Sequence, residues 1–83
     1  MKVNVKYFAS IRESVGTGSE QLESTAVTLS QLRDELVARG GAHAQSLARG
    51  RAVRVALNQV MSDEAAGLTE GCEVAFFPPV TGG

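Results

Sequence analysis

Val27-Thr28-Leu29-Ser30-Gln31-Leu32-Arg33-Asp34-Glu35-Leu36-Val37 is the stretch whose reading decides the fold. Thr28 and Gln31 stand at capping-box spacing, so the Thr28 hydroxyl can accept from the Gln31 amide while the Gln31 side chain reaches back. Val27 is placed to staple onto Leu32. Leu29, Leu32 and Leu36 then recur at helical spacing and define one apolar face, with Val37 at its border and Asp34 and Glu35 toward water. Gly40-Gly41 ends the helix by permitting a left-handed cap.

The segments on either side have the other period. Lys2 to Phe8 alternates polar and apolar, with Val3, Val5 and Tyr7 on one face, as a strand does. Ser10-Ile11-Arg12-Glu13 fits a second capping box, opening one or two helical turns that stop at Gly16. Ser19 to Ser24 reads as a more polar strand after the Gly16-Thr17-Gly18 turn, at an edge of the sheet. Beyond the main helix, Ala42 to Gly50 is loosely defined. Arg51 to Leu57 alternates with Val53, Val55 and Leu57 inward. Asn58-Gln59 reads as a turn into a short strand at Val60-Met61, Ser62 to Gly71 as turns, and Glu73 to Phe77 as the last strand. Pro78-Pro79 ends it, because neither proline can donate to a ladder. The order β, β, α, β, β, β with one main helix predicts an α+β fold, a mixed four- to five-stranded sheet packed on that helix.

Composition narrows the chemistry. A chain of 83 residues has room for one small core. Eight basic against nine acidic residues give a net charge of −1, which argues against nucleic acid as a partner. No apolar run approaches the roughly 20 residues of a membrane span, so no membrane association is expected. The alternating Met1-Lys2-Val3-Asn4-Val5-Lys6 start is unlike a signal peptide, and the expected location is cytoplasmic. With Cys72 the only cysteine and His43 the only histidine, an internal disulfide is impossible and a Cys/His zinc site lacks ligands, so no metal site is expected. His43, in Gly40-Gly41-Ala42-His43-Ala44, reads as a solvated histidine in a mobile connection. Cys72 reads as a small half-buried filler. Gly16-Thr17-Gly18-Ser19-Glu20-Gln21 begins like a dinucleotide fingerprint but ends in Gln where Gly is required. An autonomous enzyme is not expected, and no bound cofactor.

The end of the chain is distinctive. Phe76-Phe77-Pro78-Pro79-Val80-Thr81-Gly82-Gly83 divides the sequence into a domain of residues 1–77 and a tail of 78–83. The two prolines stiffen the exit from the sheet, and the six tail residues reach roughly 20 Å when extended. Gly82 and Gly83 carry no side chains, so the terminal carboxylate can enter a narrow slot in another protein.

Through Glu73-Val74-Ala75-Phe76-Phe77-Pro78-Pro79-Val80-Thr81-Gly82-Gly83 and Lys6-Tyr7-Phe8-Ala9-Ser10-Ile11-Arg12-Glu13, the chain resembles the small subunit of molybdopterin synthase, a ubiquitin-like sulfur carrier with the β-grasp fold. The resemblance implies that a separate, ATP-using, E1-like enzyme adenylates the Gly83 carboxylate, which is ionised and unreactive at neutral pH. A sulfur donor then yields a C-terminal thiocarboxylate. The tail, Pro78, Pro79, Val80, Thr81, Gly82 and Gly83, carries that sulfur into the large synthase subunit, toward a cyclic pyranopterin monophosphate precursor in molybdenum cofactor biosynthesis. The chain is thereby a sulfur-carrying subunit, with the catalytic groups on its partners.

In a β-grasp sheet the first and last strands lie side by side and parallel. If Val3, Val5 and Tyr7 face the helix, Phe8 faces the opposite way, and Phe77 does the same if Val74 and Phe76 are inward. Phe8 and Phe77 are then expected to form an aromatic docking patch at the root of the tail, with Met61 at its border. Arg12 matches the family motif near that root and is a candidate partner contact. Arg49, Arg51 and Arg54 form either a solvated basic face or a contact with an acidic partner surface. Two other readings stay open: a carrier serving thiamine or another sulfur-containing product, and a ubiquitin-like modifier joined to lysines through Gly83.

Overall fold

The computed structural model describes residues 1–79. Its elements are β1 (Lys2–Tyr7), α1 (Ala9–Val15), β2 (Ser19–Glu23), α2 (Leu29–Ala38), α3 (Gly41–Leu47), β3 (Arg54–Leu57), β4 (Val60–Ser62) and β5 (Glu73–Phe77). The strands form one five-stranded sheet in the order β2-β1-β5-β3-β4. β1 and β5 pair in parallel at its centre, and every other pairing is antiparallel. This is the expected β-grasp architecture.

Alternation decides which face is covered. Val3, Val5 and Tyr7 of β1, Val55 of β3, and Val74 and Phe76 of β5 point to one side and are buried with Leu29, Leu32 and Leu36 of α2. The α2 start forms as its sequence requires: Thr28 is the N-cap and its hydroxyl accepts from the Gln31 amide at 3.2 Å. The Gln31 side chain reaches one residue further back than in a capping box and accepts from the Val27 amide at 2.9 Å. The Val27 staple does not form. The Val27 carbonyl is bound by the Leu68 amide in the bridge beside Thr28 and Gly67, and its side chain stays 56% exposed.

Three other expectations are corrected. α1 opens at Ala9 with Phe8 as its N-cap and no side-chain cap. Ser10 therefore lies inside the first turn, and the Ile11 and Arg12 amides return to the Phe8 carbonyl instead. The helix does stop at Gly16, whose φ of 90° is open to glycine and lets its amide close on the Arg12 carbonyl. β3 starts at Arg54, not Arg51, because the Arg51 amide turns back onto the Ala48 carbonyl. Cys72 is buried in the core, more deeply than a half-exposed filler.

The largest difference is the segment after Gly40, which is helical where a mobile connection was expected. α3 has no side-chain N-cap, and its C-terminus is held from outside. Arg33, only 4% exposed, donates Nε–H to the Leu47 carbonyl at 2.6 Å and Nη2–H to the Ala48 and Arg51 carbonyls at 2.8 and 3.1 Å. Its Nη1 meets Glu64 at 2.8 Å. A buried guanidinium thus holds the end of the helix, supplying a donor to the Leu47 carbonyl and a second donor to the Ala48 carbonyl, which the Arg51 amide also reaches.

Candidate functional site

The root of the tail is built by the register of the two central strands. Tyr7 pairs with Phe76 across the parallel β1–β5 ladder, and the Phe8 amide donates to the Phe76 carbonyl at 3.1 Å. Since Tyr7 and Phe76 point to the core, the next residues, Phe8 and Phe77, point to the open face. Their rings meet edge-on, with centroids 6.4 Å apart and an interplanar angle of 87°. Phe8 is 46% exposed, a large apolar surface to leave in water without a purpose.

The same face continues across β3 and β4. Arg54 sits opposite Phe77, and Ala56 is flanked by Ala75 on one side and Met61 on the other. Met61 is 54% exposed. It lines a groove of about 460 Å³ shared with Arg54 and Pro79. Met61 therefore shares the open face of the Phe8–Phe77 pair, two residues along β4 from the row those aromatics occupy. Pro78 lines the neighbouring cavity of about 330 Å³ with Ser10, Ser14, Ser46 and Arg51. Arg12 lies in the first turn of α1, its amide donating to the Phe8 carbonyl at 3.2 Å. It lies across Gly18, where a Cβ would meet its Nε at 3.2 Å. Val80, Thr81, Gly82 and Gly83 lie outside the described residues.

The inner side of β1 is locked by a polar cluster at the same level. The Tyr7 hydroxyl donates to Glu20 Oε2 at 2.8 Å, Arg39 Nη1 donates to Oε1 at 2.7 Å, and His43 Nε2 lies 3.1 Å from Oε2. Burial raises the Glu20 carboxyl, but the hydrogen bonds from Arg39, Tyr7 and His43 outweigh it and hold the group at about 2. Burial, and then the Glu20 contact, push the Tyr7 hydroxyl upward, so it remains a donor. His43 is not the solvated loop histidine expected; it packs edge-on against Tyr7 at 5.7 Å. The cluster ties Tyr7, and with it the backbone of Phe8, to β2, α2 and α3.

Arg49 also departs from expectation. It binds Asp34, Glu64 and the Ser30 carbonyl, and so is occupied within the chain. Arg51 and Arg54 are exposed. The sequence reading missed Arg33 and Glu20, because charges on amphipathic elements look solvated until their partners, here 31 residues apart for Arg33 and Glu64, are known. Among the described residues, no helix is long and apolar enough to cross a membrane.

Comparison with known proteins places this geometry. The molybdopterin synthase sulfur carrier subunit of Haemophilus influenzae is 40% identical over 81 residues, spanning 98% of this chain and 99% of that protein. The crystal structure of SAMP1 from Haloferax volcanii superposes with a TM-score of 0.79 at 25% identity, covering 100% of both chains. A protein–protein complex of subunits 1 and 2 of the molybdopterin-converting factor from Helicobacter pylori contains a chain that superposes with a TM-score of 0.71 at 26% identity, again over 100% of both. The ThiS family profile matches residues 5–83, from the first strand to the last glycine, and the chain belongs to that family.

Proposed function

We propose that this protein is the sulfur carrier subunit of a molybdopterin synthase. The observation that carries the reading is the Phe8–Phe77 pair, Phe8 exposed and Phe77 half-buried, at the point where the central strand leads into Pro78-Pro79. An aromatic docking surface beside a narrow tail is what delivery into another protein requires. The whole-length similarity to the Haemophilus influenzae carrier subunit and the two-subunit complex of the Helicobacter pylori relative support it.

The chemistry follows from the carboxylate. An oxygen of Gly83 attacks the α-phosphate of ATP on a separate activating enzyme, and pyrophosphate leaves. A sulfur nucleophile at the sulfide level then attacks the acyl carbon; the C–S bond forms, the C–O bond to the phosphate breaks, and AMP leaves. The resulting thiocarboxylate is carried by the tail into the large subunit, whose side chains direct the sulfur onto the pterin precursor. Hydrolysis of the acyl group during transfer restores the Gly83 carboxylate. This chain binds no cofactor itself; its part is docking and carriage, in the cytoplasm.

The test is reconstitution with the large subunit, the activating enzyme, ATP and a sulfide donor, followed by intact-mass analysis. The expected result is exchange of one oxygen for sulfur at Gly83, with product formation abolished by deleting Gly83 or adding a residue after it. Product formation by the extended, uncleaved chain would overturn the carrier reading. Adducts to lysines of other proteins would indicate a modifier instead.

A further inference from the structure

The six arginines divide by location. Arg33, Arg39 and Arg49 are each bound to carboxylates of this chain. Arg12, Arg51 and Arg54 are exposed and have no carboxylate within ion-pair distance among the described residues. Two of the three uncommitted arginines border the outlet of the tail, and the third stands on α1 with its amide on the carbonyl of Phe8, a member of the aromatic pair at the tail's root. Arg54 pairs in register with Phe77, Arg51 shares a cavity with Pro78, and Arg12 stands one turn after Phe8.

Building on the sulfur-carrier reading, we propose that Arg12, Arg51 and Arg54 form a cationic collar that engages Asp and Glu side chains rimming the slot of the large subunit that receives the tail. Charge complementarity selects carboxylates over phosphates. Glu13 lines the hollow beside Arg12, and Asp63 lines the groove beside Arg54. A polyanion would be repelled by these, whereas single carboxylates can sit between them and take the bidentate geometry a guanidinium offers. Arg51 is bordered by the Ser10 and Ser14 hydroxyls, which can add hydrogen bonds to a carboxylate held there. The net charge of −1 gives little long-range attraction, so the collar acts within about a Debye length, orienting the outlet as the surfaces meet. The aromatic pair then holds the complex while the arginines set how often encounters succeed.

Stopped-flow association of the full-length chain with the large subunit, at about 50 mM and about 300 mM salt, tests this. The triple variant Arg12→Gln/Arg51→Gln/Arg54→Gln is expected to associate roughly tenfold more slowly at low salt, with the difference shrinking at high salt and dissociation little changed. Lys2→Gln removes a cation at the far end of β1 and is expected to leave the rate near wild type. The three single variants should each show part of the loss, and all should melt with wild type, since none of these arginine side chains forms a hydrogen bond or ion pair among the described residues. Equal association rates for the triple variant and wild type would overturn the collar while leaving the carrier reading intact. So would an equal loss in Lys2→Gln, which would indicate net charge alone. Failure of wild type to bind the large subunit would overturn the carrier reading, and the collar with it. Binding of ATP or a single-stranded RNA to wild type, lost in the triple variant, would assign the arginines to phosphate and overturn a carboxylate partner.

Discussion

Phe76 stacks on Tyr7 with ring centroids 6.4 Å apart, while Phe77 meets Phe8 on the other side of the sheet. One step along the strand thus separates a core residue from a docking residue. Phe76→Ser leaves a void and an unpartnered hydroxyl among fully buried side chains and should cost roughly 3–5 kcal/mol, enough to unfold a domain this small. Phe77→Ser should leave the thermal melt near wild type and weaken binding to the large subunit by about 2 kcal/mol or more, as truncating an interface aromatic does. Melts and titration calorimetry on both variants check the pair, and the reverse pattern would invert the strand's facing. This distinction was legible in the sequence because strand parity is a local rule. The environment of Glu20 was not, since a carboxylate on a polar edge strand looks the same whether or not a tyrosine, an arginine and a histidine converge on it.

Elements were legible to the extent that they carry their own signals. α2 announces itself through Thr28, Gln31 and the Leu29-Leu32-Leu36 face, and the turn before β4 through Asn58, which tolerates the positive φ of 49° it adopts. α3 carries no such signal. Its sequence, Gly41-Ala42-His43-Ala44-Gln45-Ser46-Leu47, offers one strong apolar anchor and no side-chain cap, and its end is held by Arg33 on another helix. Tertiary contact, not propensity, makes it helical. Arg33→Ala should therefore cost roughly 1–3 kcal/mol, because it leaves the Leu47 and Arg51 carbonyls without their donor, while Glu64 keeps Arg49. Amide exchange should rise first in α3 and in the turn before β3. Uniform acceleration across the sheet, with α3 still protected, would show that another contact holds the helix.

At the scale of the whole molecule, Glu20 is where four elements meet: its own strand β2, Tyr7 of β1, Arg39 at the end of α2 and His43 of α3. Its carboxyl is held at about 2, below the ordinary 4.5, so the folded state favours the ionised form. That contribution is complete above the unfolded value and is lost as pH falls from about 4.5 to about 2. Urea midpoints across this range should fall steeply for wild type. Glu20→Gln should start lower at neutral pH, by roughly 1–3 kcal/mol, and decline less over the same acid interval. Parallel pH profiles for the two proteins would place the acid sensitivity elsewhere.

The strand that completes the centre of the sheet is the last one described. Until β5 emerges, a growing chain holds β1–β2 as one hairpin and β3–β4 as another, with nothing to join them. Their apolar faces cannot close over α2 before Val74 and Phe76 arrive. A nascent chain that stops short of Phe77 therefore stays open and exposes itself to proteases. Folding thus waits for β5, so a folded molecule has already been translated to the threshold of its Pro78-Pro79 outlet.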